Sequence, residues 1–282
     1  MIRFGPGGNC EWFKAEGNKT TDKMPAFLNK IGLNAYEVEC GRGVRMNEAT
    51  AKALRAEAEK YQIALSIHAP YYISMSSLEE EKRQGSIRYL LESAALAKKI
   101  GAERVIFHSG SCAKISREEA TALAVDTLRK AVEAFDAEGY GDLILCPETM
   151  GKINQLGSLE EVMTLCKVDD RILPTIDFGH LNAREQGLFY TAADYERVLD
   201  VMEDALGRER ATKFHTHFSK IEYTTGGEKR HLTFEDTVFG PEFSPLAEVL
   251  AKRGAEPIII CESAGTQSKD ALEMKELYEK VK

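Results

Sequence analysis

This 282-residue chain has no CxxC pair, no apolar run near the ~20 residues of a membrane span, and no basic excess. Each absence removes a class of explanation. Cys10, Cys40, Cys112, Cys146, Cys166 and Cys261 lack paired spacing, and three lie in or beside apolar runs. They read as reduced, buried thiols of a cytoplasmic protein rather than a disulfide framework. The start, Met1-Ile2-Arg3-Phe4-Gly5-Pro6, carries no apolar signal region, so neither export nor a membrane partner is expected. A formal charge of −8 argues against a generic nucleic-acid binder, whose phosphate affinity rests on Lys and Arg. It leaves room for a local basic face. No linker or low-complexity stretch divides the chain, so one domain over 1–282 is expected, and that length suffices for a full core.

What is present is an alternation of helix and strand. Apolar runs at 2–4, 35–40, 63–68, 104–108, 143–146, 171–177, 211–217 and 257–262 read as strands. Between them lie helical patterns at 22–31, 48–61, 77–100, 116–137, 191–206, 245–253 and 269–281, and a shorter one after Ser158. Ser77/Glu80, Ser116/Glu119 and Ser158/Glu161 have capping-box spacing. The segment 221–240 reads as a long polar loop. Apolar strands alternating with helices imply parallel strands buried on both faces. Eight such units predict a (β/α)8 TIM barrel, with a doubly wound sheet as the alternative.

In such a barrel, chemistry gathers where strands end and the following loops begin. Ile67-His68, Phe107-His108, Pro147-Glu148, Ile176-Asp177, Phe214-His215 and Cys261-Glu262 each finish an apolar run with an imidazole or a carboxylate. His180 follows Asp177 by three residues, and His217 and His231 complete the six histidines. Singly, each would pass as an ordinary core or surface residue. As a set with three acids and no thiolate motif they point to zinc, with manganese or iron suited as well. Bridging carboxylates allow two or three ions, the arrangement suited to in-line attack at phosphorus.

The residues Ile67-His68-Ala69-Pro70-Tyr71, Phe107-His108-Ser109-Gly110-Ser111, Pro147-Glu148-Thr149, Ile176-Asp177-Phe178-Gly179-His180, His215 with Ser219-Lys220, Arg230-His231, and Glu262 are similar to those of the endonuclease IV family. These are zinc-dependent apurinic/apyrimidinic endonucleases on a TIM barrel. The resemblance covers essentially the whole chain. It implies one zinc on His68, His108 and Glu148. A second would be bridged by Glu148 and held by Asp177, His215 and Glu262, with Glu148 and Glu262 the residues nearest the chemistry. A third would rest on His180 and His231. The partner implied is duplex DNA with abasic sites, cut 5′ to the lesion by a monomer. Arg42 and Arg45, after the second strand, would meet the lesion, and Tyr71 and Tyr72 could stack on a sugar or base. Lys114, Lys152, Arg184, Lys220, Lys229 and Arg230 would make the same face basic.

The chain departs from that pattern at the third site. An Asp two residues before the last His is expected, and Lys229 stands there. Glu228, one residue off, or His217 could replace it; a weak third site is expected. His217 and Phe218 also replace the Asn and Asp that usually follow the seventh-strand His, and Met150-Gly151-Lys152 replaces an Ala-Gly run. Two readings of other classes remain. A one-metal sugar isomerase or epimerase would need only Glu148, Asp177, His215 and Glu262. A silent member would bind metal or DNA without turnover.

Overall fold

Four-residue apolar runs such as Arg104–Phe107 and Ile258–Cys261 are buried along almost their whole length, which is possible only with cover on both faces. In the computed structural model, which describes residues 1–112 and 114–282, ten strands form. They are β1 Arg3–Pro6, β2 Ala35–Glu39, β3 Ala64–His68, β4 Arg104–Phe107, β5 Ile144–Pro147, β6 Thr175–Asp177, β7 His215–Phe218, β8 Ile221–Thr224, β9 Gly227–His231 and β10 Ile258–Cys261. Two parallel sheets, β1-β10-β7-β6 and β2-β3-β4-β5, meet through single bridges between Gly7 and Glu37 and between Glu148 and Thr175. The ring closes as the expected TIM barrel. Gly5 permits that closure: a Cβ there would lie 1.7 Å from the Ala35 carbonyl oxygen.

Helices wrap the ring, and the long ones turn an apolar stripe inward. Over Arg117–Ala137 the stripe is Ala120, Ala124, Leu128, Ala131 and Phe135, all buried at near-helical spacing. Ser116/Glu119 and Ser158/Glu161 form the expected capping boxes. The third does not form. The helix there is Glu80–Ile100, and the Ser77 hydroxyl instead accepts from the Glu79 amide.

Other differences lie at strand ends. The seventh strand is shorter than 211–217, because Arg208–Thr212 continues as helix. The sixth begins only at Thr175, and beyond Asp177 a helix, Phe178–Arg184, replaces the expected turn. The loop 221–240 begins as an antiparallel hairpin, β8–β9, bulged at Glu222/Tyr223. That hairpin seats on the loop after β5. Glu228 and Ile153 donate backbone hydrogen bonds to the Gly151 and Gly226 carbonyls at 3.1 and 3.2 Å. Gly227 makes the approach possible, with φ +90° and room for no Cβ (2.1 Å from the Gly151 oxygen). All six cysteines are free thiols, five of them buried. Among the described residues no helix is long and apolar enough to cross a membrane.

Candidate metal centre

The C-terminal ends of the strands converge on a cavity of about 490 Å³ lined by His68, His108, Glu148, His180, Glu228, His231 and Glu262. Glu148 is its hub. Oε2 lies 3.2 Å from His68 Nε2 and 3.1 Å from His108 Nε2, while Oε1 lies 3.0 Å from His217 Nδ1 and 3.3 Å from His180 Nδ1. One carboxylate thus faces two sets of imidazoles, as a bridge between two cations would. Asp177 completes the second set. Its Oδ1 accepts from the His180 amide at 2.6 Å, capping the short helix, and its buried Oδ2 has no hydrogen-bond partner.

One ring nitrogen of each of three histidines is held by a neighbour, although His180 Nδ1 also lies against Glu148. His68 Nδ1 donates to the Ala69 carbonyl (2.9 Å) and His180 Nδ1 to the Thr149 carbonyl (2.9 Å). His231 Nδ1 meets the Ser219 hydroxyl at 2.8 Å. Each leaves Nε2 free to turn inward, and for His68 and His180 the carbonyl, which only accepts, fixes the proton on Nδ1. Donor atoms within 4.8 Å of one another form the groups His68–His108–Glu148, Glu148–Asp177–His217–Glu262 and His180–Glu228–His231. Nitrogen and oxygen donors without thiolate suit zinc, manganese or iron, so the residues fit the metals implied.

Electrostatics explain why a cation is wanted. Burial pushes the Glu262 carboxyl up to about 8; Glu148, Asp177 and Glu39 add to this, partly offset by His217. Burial works against a charged His68, yet Glu148 and Glu39 raise it to about 10. Burial also opposes the Glu148 charge, but His217 and three histidine hydrogen bonds hold it well below the usual carboxylate range. Acids crowd one cavity, and divalent ions bound there would supply the positive charge that these carboxylates favour.

His215 is not where the resemblance implied. It pairs with Thr175 and Ile258, one pleat deeper, with Nε2 3.1 Å from Glu37 Oε2. His217 pairs with Asp177 and Ile260 and takes the place beside Glu148 and Glu262. Residues two apart share a strand face about 6.6 Å apart in height, so the sequence alone could not say which reaches the rim. At the third site Glu228, not Lys229, turns inward: its carboxylate is 3.4 Å from His180 Nε2 and 4.0 Å from His231 Nε2. Lys229 and Arg230 both pair with Glu222 at 2.5 and 2.6 Å. Glu37 and Glu39 were missed, their acidic side chains hidden in the strand pattern Ala35-Tyr36-Glu37-Val38-Glu39.

The basic residues divide. Arg42 and Arg45 line a second groove of about 810 Å³ with Lys14 and Lys19, and it shares Gly7, Glu39, Tyr71 and Gln267 with the metal cavity. All four cations are exposed, and none forms an ion pair among the described residues. Tyr71 stacks nearly parallel to His108, centroids 6.0 Å apart, and is exposed above it. Tyr72 turns away onto Tyr89 and a groove walled by Glu79, Glu80 and Glu81. Arg184 binds the Met150 and Lys152 carbonyls, and Lys220 is buried against Asp236 and Glu242, so neither is free for a ligand.

A closed eight-stranded barrel with such clusters at the C-terminal face is an enzyme-like TIM barrel. Within that class, the chain belongs to the xylose isomerase-like TIM barrel family, whose sequence profile matches residues 25–280. It is 34% identical over 241 residues to an uncharacterized protein of Methanocaldococcus jannaschii, covering 86% of each chain. It is 27% identical over 248 residues to a probable endonuclease 4 of Mycoplasma pneumoniae, covering 80% of this chain and 83% of that one. It is therefore a divergent relative of endonuclease IV. A solved D-tagatose 3-epimerase-like protein shares the fold at 20% identity, with TM-score 0.71 over 99% of this chain and 97% of that one.

Proposed function

We propose that the protein is a metal-dependent phosphodiesterase of the endonuclease IV type, acting on duplex DNA at abasic sites. The observation that carries this reading is the Glu148 carboxylate standing between two groups of imidazoles, with a third His–Glu–His group beside it. An enzyme that moves one proton on a sugar needs one cation and two flanking acids. It has no use for His68, His108, His180 and His231 together. When bound, the metals would supply an activated water and neutralise charge developing on the leaving oxygen. The chain's own residues would do the rest. Glu148 and Asp177 would hold the cations, Glu262 would accept or return a proton at the rim, and Tyr71 offers a flat face beside His108. Arg42, Arg45, Lys14 and Lys19 supply unpaired positive charge along the adjoining groove, where a phosphate backbone would be neutralised.

A second reading, a sugar epimerase, is supported by the group Glu148–Asp177–His217–Glu262 and by the shared epimerase fold. A labelled duplex bearing a tetrahydrofuran abasic analogue separates the two. Incision with zinc, manganese or iron that a chelator abolishes supports the phosphodiesterase. No incision with any of them, together with turnover of ketohexoses, favours the epimerase.

A further inference from the structure

Beneath the metal cavity lies a carboxylate that the proposed chemistry does not use. Glu37 is fully buried in the middle of β2, an expensive place for an acid without partners. Its partners are specific. Oε2 accepts from the Ser66 hydroxyl at 2.6 Å and lies 3.1 Å from His215 Nε2. Oε1 lies 2.8 Å from His217 Nε2. Neither Glu37 Oε1 nor His217 Nε2 has a hydrogen bond of good geometry, and both are shut off from solvent, so this close approach is what each has in place of one. An ionised carboxylate only accepts, so Glu37 favours the form of His217 that keeps a proton on Nε2, the form left when a cation takes Nδ1. On the opposite edge of that ring, Nδ1 faces Glu148 Oε1 at 3.0 Å and Glu262 Oε1 at 3.5 Å.

We propose that Glu37 is the positioning residue of the metal centre: it fixes the Nε2–H form of His217 and so presents Nδ1 of His217, rather than either nitrogen of His215, to the cation shared with Glu148, Asp177 and Glu262. The inference rests on the metal-centre reading and adds to it which seventh-strand histidine binds and what aims it. A carboxylate behind an imidazole raises its basicity and locks its orientation. Ser66 holds that carboxylate in turn, from the neighbouring strand β3, where it is the register partner of Glu37. His215, on the other carboxylate oxygen, braces Glu37 without reaching the cavity.

The test uses zinc-loaded full-length protein. Zinc retained under graded chelation is compared for wild type, Glu37→Gln, His217→Ala and His215→Ala, and imidazole nitrogen shifts are read by NMR on wild type. Glu37→Gln should weaken one zinc by about ten- to hundredfold and leave the zinc at His180 and His231 unchanged. His217→Ala should weaken the same zinc at least as much, and His215→Ala should change it less than about threefold. The wild-type spectrum should show His217 protonated at Nε2 and metal-shifted at Nδ1. Three results would overturn the proposal: unchanged retention in Glu37→Gln, a loss in His215→Ala equal to that in His217→Ala, or an ion found between Glu37 and both histidines. If Glu37→Gln does not fold, the wild-type spectrum decides by itself. Wild type that holds no zinc, manganese or iron would defeat the metal-centre reading and this one with it, whereas loaded wild type matched by Glu37→Gln defeats this one alone.

Discussion

Replacing Glu228 by Gln removes one negative charge from the third site while keeping the side-chain volume. The carboxylate lies within 3.4 to 4.0 Å of the inward nitrogens of His180 and His231, so an ion bound by them would sit within about 4 Å of it. At that distance, with an effective dielectric of about 20, each unit of cation charge gains about 4 kcal/mol from a carboxylate. The amide oxygen of Gln retains part of this. The expected loss is therefore about 2–4 kcal/mol, roughly thirty- to several-hundredfold in affinity for one ion of the set. Wild type, Glu228→Gln and Lys229→Asp would be dialysed against increasing chelator and their metal content measured. Lys229→Asp should leave the metal content unchanged, because Lys229 points to Glu222 and away from the site. If Lys229→Asp tightens one ion and Glu228→Gln loosens none, this account of the hairpin is wrong.

Glu148→Gln should cut incision at the abasic analogue by more than about a hundredfold, since a neutral amide bridges two cations poorly; near wild-type turnover would remove Glu148 from the bridging role. The double variant Arg42→Ala/Arg45→Ala should weaken duplex binding and lower the salt dependence by about two ions, read as the slope of log affinity against log salt. Gly227→Ala, at φ +90° and with a Cβ 2.1 Å from the Gly151 oxygen, should cost about 1–3 kcal/mol and free the third ion before the barrel melts, measured by metal release during thermal unfolding. Glu161 accepts from Arg117 and from the Gly157 and Ser158 amides; burial opposes its charge, but these partners hold its carboxyl below the usual range. Because the folded value lies below the unfolded one, this stabilisation is present above about pH 4.3 and fades as pH falls through the folded value. Glu161→Gln should flatten that part of the acid-unfolding curve, and an unchanged curve would refute the assignment.

The barrel was legible because its signals are local and repeated: apolar runs buried on both faces, two capping boxes, and imidazoles or acids at strand ends. The choice between His215 and His217 was not, because both lie on one face of β7 and only the register with Asp177 on β6 sets their heights. Glu37 was illegible for a related reason. An acid within an apolar strand looks like a solvent-facing position until the ring closes around it. Ser77 and Glu80 had capping spacing, but the chain enters that helix at Glu79, and spacing cannot report the entry angle. The hairpin was hidden because Glu222, Lys229 and Arg230 pair with one another, a cross-strand charge pattern that reads as solvated loop.

That hairpin gives the centre an unequal construction. Apart from His180 on its short helix, the donors around Glu148 stand on barrel strands or in the loops that directly follow them, so their spacing is tied to the closure of the whole ring. Glu228 and His231 instead stand on the β8–β9 hairpin, whose turn at Gly227 seats on the Gly151 turn. Exchanging this hairpin would therefore alter the His180–Glu228–His231 group while leaving the donors around Glu148 in place, which makes it the natural graft point for retuning the centre without rebuilding the barrel.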